Sequence, residues 1–185
     1  MTQLTPHWRL LLPALLLLLA GCATSPETRY YTLMGTEPAS QPEQLWPLTV
    51  TRVQMPEYLD DSRLWVRSQG YQITALANVR WAESLPRATT RSLQQHLGTV
   101  SDAAGGGERL LVDLDAFEAR WSDSGEQDQV VLRGQWQVAG AEGSAQRIQL
   151  QADLSDRNPA TLVAAMSGLL KQLAEEITRG QAAYQ

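Results

Sequence analysis

The chain has 185 residues, 43% of them apolar, with 15 basic and 20 acidic side chains and a formal net charge of −5. That length fits one domain with a sizeable core, and an acidic balance without a basic tract excludes a nucleic-acid-binding module and gives no overall pull toward anionic lipid. A single cysteine excludes an internal disulfide, so the fold rests on packing.

The N-terminus has three parts: a short polar stretch with His7 and Arg9, the leucine-rich run Leu10–Ala20, and small residues that end at Cys22. This is the order of a secretory signal. The run is well short of the roughly 20 residues a spanning helix needs, and Pro13 interrupts it. Leu19-Ala20-Gly21-Cys22 resembles the bacterial lipobox. The resemblance implies diacylglycerol on the Cys22 sulfur, cleavage before Cys22 and acylation of the new amine by a palmitate-type chain. A thiol suits the alkylation because its thiolate is a strong nucleophile. Cys22 is therefore the expected lipid-attachment residue, with residues 1–21 as signal peptide and 22–28 as lipidated tether. More than one acyl chain gives stable anchoring, at about 0.8 kcal/mol per buried methylene. Ala23 rather than Asp follows Cys22, which within this resemblance implies the periplasmic face of the outer membrane.

Beyond the tether, Arg29–Gly35 is predicted as a first strand, rich in aromatics and Thr. Thr36–Gln44 has two prolines and reads as a loop. Leu45–Met55 alternates as a second strand and ends at Pro56. "PEYLDD" is a turn or single helical turn. Ser62–Gln69 and Tyr71–Leu76 form a hairpin hinged near Gly70. Glu83–Val100 switches to a helical period through Leu85, Ala88, Thr89, Leu93 and Leu97, with Ser84 as N-cap and Pro86 in the first turn. Ser101–Glu108 is a loop.

Three strands follow. Arg109–Trp121 shifts its alternation near Ala116–Phe117, which predicts a bulge. Gln129–Gly140 sets Val130, Leu132, Trp136 and Val138 against Arg133, Gln135 and Gln137. Ala145–Ser155 alternates Ile148, Leu150, Ala152 and Leu154 against polar residues. This predicts an antiparallel meander with one apolar and one wet face. The last segment carries Asn158 as N-cap, Pro159 at the first helical position and one stripe of Leu162, Met166, Leu169, Leu170, Leu173 and Ile177. Gly180 is the expected stop. The order predicts an α+β single domain over residues 29–183, a mostly antiparallel sheet with two main helices on one face.

Catalytic equipment is sparse. His96, the one histidine after the signal, reads as a surface side chain, and a single histidine without a free thiol does not support a zinc site, a Cys–His pair or a Ser–His triad. Asp113 and Asp115, two apart on a strand, read as a solvated face rather than an acid–base pair. Asp60-Asp61 suit a turn. Gly105–Glu108 lacks the Lys-Ser/Thr of a phosphate loop. No cofactor or metal is expected, and no enzymatic activity. Of the five tryptophans after the signal (Trp46, Trp65, Trp81, Trp121, Trp136), some belong to the core and others are available to a partner.

"YYTL" (Tyr30–Leu33), "VQMPEYLDDSRLWVR" (Val53–Arg67) and "RWAESLPRATTRSLQQHL" (Arg80–Leu97) together resemble the auxiliary lipoproteins of ABC-type transporters, the PqiC/YmbA group. Asp61 departs from that pattern, where a basic residue is more usual. The resemblance implies a non-catalytic, outer-membrane-anchored periplasmic subunit of an ABC/MCE-type system that moves lipids or other hydrophobic molecules between membranes. Its implied partners are the membrane, through the N-terminal lipid, an MCE-domain protein, and an ABC or integral-membrane permease. A homo-oligomeric ring is implied too. The alternative is a periplasmic lipoprotein with its own apolar ligand site, acting as shuttle or sensor. Contacts with partners are expected on loops held by a rigid scaffold: Met55–Asp61, with Pro56, Tyr58, Leu59 and Asp60, then Ser122–Asp128 and Ala141–Ser144.

Overall fold

The structure, a computed structural model, describes residues 26–34, 48–68, 70–98, 108–122, 127–140 and 145–182. Cys22, the Thr36–Gln44 loop, Trp46, the Gly105–Gly107 run and Ala141–Ser144 lie outside the described residues. The described residues form seven strands and two helices: β1 Arg29–Tyr31, β2 Leu48–Val50, β3 Arg63–Ser68, β4 Gln72–Trp81, α1 Leu85–Leu97, β5 Glu108–Arg120, β6 Gln129–Val138, β7 Gln146–Asp153 and α2 Pro159–Ala182. A 3₁₀ turn at Glu57–Leu59 joins β2 to β3.

The strands form one sheet in the order β1-β4-β3-β5-β6-β7, with β2 alongside β5. The meander β5–β6–β7 and the hairpin β3–β4 are antiparallel. β1 on β4, β2 on β5 and β3 on β5 are parallel. The expectation of an α+β domain with a mostly antiparallel sheet therefore holds, and the three parallel pairings make that sheet mixed. β2 and β3 divide one edge of β5 between them: β2 takes Glu108–Leu110 and β3 takes Ala119–Arg120.

Alternation places Leu110, Val112 and Leu114 of β5, Val130, Leu132, Trp136 and Val138 of β6, and Ile148 of β7 on one face, where all are buried. The α2 stripe lies on that face, with Leu162, Leu169, Leu170, Leu173 and Ile177 fully buried. Leu85, Ala88, Leu93 and Leu97 of α1 join the same cluster. Fully burying one such side chain contributes about 1.5–3 kcal/mol, so this single face dominates the stability.

Several boundaries differ from the sequence reading. The second strand is three residues long, not eleven. Thr51 still holds to β5, donating to the Leu110 carbonyl from its backbone N–H (3.1 Å) and again from its hydroxyl (3.0 Å), and the chain leaves the ladder beyond it. The Val53 N–H turns to Thr90 Oγ1 of α1 at 3.0 Å, and pairing resumes only at Gln54 opposite Asp113. β4 runs on to Trp81, past the expected end at Leu76. Between Trp65↔Ala75 and Arg63↔Arg80 it carries extra residues around Asn78, whose φ of 55° is a left-handed conformation that Asn tolerates.

α1 ends at Leu97 on a left-handed Gly98, and Ser84 stands at its N-cap without a side-chain cap bond. Asn158 does cap α2, its Oδ1 accepting from the Ala160 N–H at 2.9 Å. Gly180 is not a stop, since α2 continues to Ala182. A Cβ at Gly180 would lie 2.9 Å from the Trp136 ring, so this glycine lets the helix pass over an indole. The β5 bulge falls at Asp115, between Leu114↔Gly134 and Ala116↔Arg133. A Cβ at Gly134 would meet the Asp113 carbonyl oxygen at 2.1 Å, so only glycine fits beside the bulge.

Candidate functional site

The Met55–Asp61 segment crosses the edge of β5 between its contacts with β2 and with β3. Pro56 (φ −54°, ψ 145°) stops the extended chain and opens the 3₁₀ turn, closed by Leu59 N–H to Pro56 O at 2.9 Å and Asp60 N–H to Glu57 O at 3.1 Å. Within it Leu59 is buried in the main core, Tyr58 and Pro56 are half-buried, and Asp60 is exposed. The four residues therefore do different work. Leu59 pins the turn to the core, while Pro56 and Asp60 present it to solvent.

Tyr58 reaches the face opposite the helices. Its hydroxyl donates to Glu118 Oε2 at 2.8 Å. Arg67 Nε donates to Glu118 Oε1, while Arg67 Nη2 lies 3.2 Å from Oε2 and 3.3 Å from the Tyr58 hydroxyl. The Glu118 side chain is 0% exposed and that of Arg67 is 26% exposed. A buried carboxylate demands such partners, since an uncompensated charge costs several kcal/mol. Burial pushes the Tyr58 phenol up from its usual pKa, and the bond to Glu118 adds to that. The bond to Glu118 raises Arg67 further above the ordinary guanidinium value. The triad thus ties the turn to β3 and β5.

Surface pairs flank it. Arg52 and Asp60 meet at 2.6 Å, exposed and therefore worth at most about 1 kcal/mol. Asp61 accepts from the Arg63 side chain and from its backbone N–H, and the Arg63 side-chain bond holds its carboxyl below the usual range. Arg63 also stacks over Trp65, 4.4 Å from the ring centroid. The departure at Asp61 is thus matched by its own arginine two residues on.

Just past the C-terminal end of β5, the end that carries Glu118, Asp128 accepts from the Ser122 N–H (2.8 Å) and from Arg157 (2.7 and 3.0 Å), and Arg157 lies over Trp121. This clamp sets the ends of the Ser122–Asp128 loop. Trp81 and Trp136 are core, and Trp65 and Trp121 are half-buried beneath arginines.

The residues weighed for catalysis remain apart. Asp113 and Asp115 are both exposed, and the bulge at Asp115 disturbs their spacing. His96 is half-buried on α1, where burial, then the Lys171 charge, lowers its pKa below 6.5, against an opposing pull from Glu175. Among the described residues no group of three His, Cys, Asp or Glu side chains could hold a metal ion. Glu118 escaped the sequence reading. The one available signal was the bulge, which shifts the parity of β5 and turns Glu118 away from the helices.

The family model for the ABC-type transport auxiliary lipoprotein component matches residues 31–178. No curated protein matches the chain. Two solved structures share the fold. One is a crystal structure of an uncharacterized protein, at TM-score 0.65 and 20% identity over 84% of this chain and 99% of the other. The second is a protein from Xanthomonas campestris of the family model DUF330, at TM-score 0.58 and 17% identity over 88% and 99%. With a match that runs from β1 into α2, the chain belongs to the family of ABC-type transport auxiliary lipoprotein components.

Proposed function

We propose that this chain is a non-catalytic docking or assembly subunit of an ABC/MCE-type system that moves lipids or other hydrophobic molecules between the two membranes. Cys22 carries the lipid that holds it at the periplasmic face of the outer membrane, after removal of residues 1–21. The observation that carries the reading is a lipobox-like Leu19-Ala20-Gly21-Cys22 just ahead of a domain of the transport-auxiliary family.

In this reading the 3₁₀ turn is a contact edge for an MCE-domain or permease partner. The buried Leu59 and the Tyr58–Glu118–Arg67 triad hold it still, so little ordering entropy is lost on docking. Pro56, Glu57 and Asp60 supply its outer surface. Copies of the chain pair into a ring.

Mass spectrometry of the envelope-extracted protein should find Cys22 as a triacylated N-terminus. Cross-linking in membranes should recover an MCE-type or ABC-type protein, and Asp60→Arg with Glu57→Arg should reduce that yield. An unmodified thiol on Cys22, or recovery with stoichiometric lipid and no transporter protein, would overturn the proposal, the second result in favour of a shuttle.

A further inference from the structure

The ladder registers collect seven arginines on the sheet face away from the helices. Arg67 pairs with Arg120 across β3 and β5, and Arg63 with Arg80 across β3 and β4. Arg133 of β6 stands beside Ala116, Arg147 of β7 beside Gln135, and Arg109 of β5 beside Thr49. Acidic residues on this face are Asp113, Asp115, Glu118 and Asp153, so it is net positive in a chain of net charge −5. Asp61 neutralises Arg63 and Glu118 neutralises Arg67. The side chains of Arg80, Arg109, Arg120, Arg133 and Arg147 make no ion pair or hydrogen bond among the described residues.

Among the described residues, two buried donors on the same face lack acceptors, Arg120 Nε and Trp65 Nε1. Burial, then the charge of Arg133, lowers the Arg120 pKa. An excess of cations with orphaned donors calls for an anionic, oxygen-rich surface. The chain between Cys22 and Arg29 spans at most about 25 Å, at 3.3–3.6 Å per residue. It enters β1, where Tyr30 lies on this face opposite Arg80 and is 68% exposed. An exposed tyrosine beside arginines suits a headgroup layer.

We propose that the arginine face docks on the anionic phospholipid headgroups of the membrane to which the chain is tethered, leaving the helices turned toward the periplasm. This rests on the Cys22 anchor proposed above. Net charge hides the face because the acidic excess lies elsewhere.

The test uses the native lipidated protein, reconstituted in vesicles of phosphatidylcholine alone or with phosphatidylglycerol. The readout is quenching of Trp65 by a headgroup-attached quencher, with Trp65→Phe as the subtraction. Quenching should appear only with phosphatidylglycerol and be reversed by high salt. Each exposed arginine replaced should weaken docking about fivefold, so Arg109→Gln, Arg133→Gln and Arg147→Gln together should weaken it about a hundredfold. Protein retained on both vesicle types but quenched equally, or not at all, overturns the docking face and leaves the anchor standing. Protein that washes off neutral vesicles overturns the anchor and the lipid assignment with it. If the triple variant quenches normally yet loses a cross-linked transporter protein, the face belongs to an acidic protein partner and the proposal fails.

Discussion

Replacing Arg67 by Met removes the guanidinium and keeps most of the stem that packs against the sheet. Glu118 is then left with the Tyr58 hydroxyl as its one remaining partner of the triad, and its side chain has no solvent exposure. Breaking a buried ion pair by removing one member typically costs 3–5 kcal/mol. Arg67 is 26% exposed, so water can enter from its side, and the expected loss is the lower end, about 3 kcal/mol. For a domain of this size that corresponds to a Tm decrease of about 6–12 °C. Removing the pair together, as Arg67→Met with Glu118→Leu, eliminates the stranded charge and should fall within about 1–2 kcal/mol of the parent. The assay is urea unfolding of the purified protein followed by tryptophan fluorescence, with all four corners of the cycle at one salt concentration. A single Arg67→Met costing under about 1 kcal/mol would refute the reasoning. So would a double variant as unstable as the sum of the two singles.

Gly134→Ala should cost at least about 3 kcal/mol, since its Cβ would overlap the Asp113 carbonyl, whereas Gly168→Ala on the exposed side of α2 meets nothing within 4 Å and should gain about 0.5–1 kcal/mol. A thermal-melt comparison of the two checks this. Asn158→Ala should lose about 1 kcal/mol with its cap bond, while Ser84→Ala, which has no such bond to lose, should be near neutral in the same melts. His96 has a folded pKa below its unfolded value of 6.5, so the unfolded chain binds the proton more tightly and stability falls as pH drops below 6.5. His96→Gln should flatten that part of the denaturation profile. Asp61 and Asp128, held below 3.8 by Arg63 and Arg157, keep their stabilisation until the pH falls through that lower range.

The helices and the β5–β7 meander were legible because each buries one face, and burying one face writes a period into the chain: 2 for β6 and β7, 3.6 for α2. The parallel contacts leave no such mark. Nothing within Leu48–Val50 records that its partner lies some sixty residues ahead in β5, and nothing in Ala77–Arg80 records that β4 continues because β1 returns beside it. Gly180 misled because a glycine near a helix end resembles a stop, and only the Trp136 ring above it explains its presence inside the helix. In the Met55–Asp61 turn Tyr58 and Leu59 were visible as residues, while their separation into anchor and surface required Glu118, whose burial depends on the Asp115 bulge.

That bulge also connects the turn to the arginine face. β5 is long enough to hold two parallel neighbours end to end on one edge, and the gap between them spans the bulge. The 3₁₀ turn crosses that gap, so Tyr58 arrives over Glu118, where a polar residue on a wet strand face would otherwise be solvated. Because the bulge changes the parity of β5, Arg120 falls on the same face as Arg109 although the two are eleven positions apart, a spacing that unbroken alternation would place on opposite faces. Deleting Asp115 should therefore do more than shorten a strand. It turns either Glu118 and Arg120 into the apolar core or the residues before the bulge out of it. Folding of the deletion variant to the parent's stability would show that the bulge does not set this arrangement.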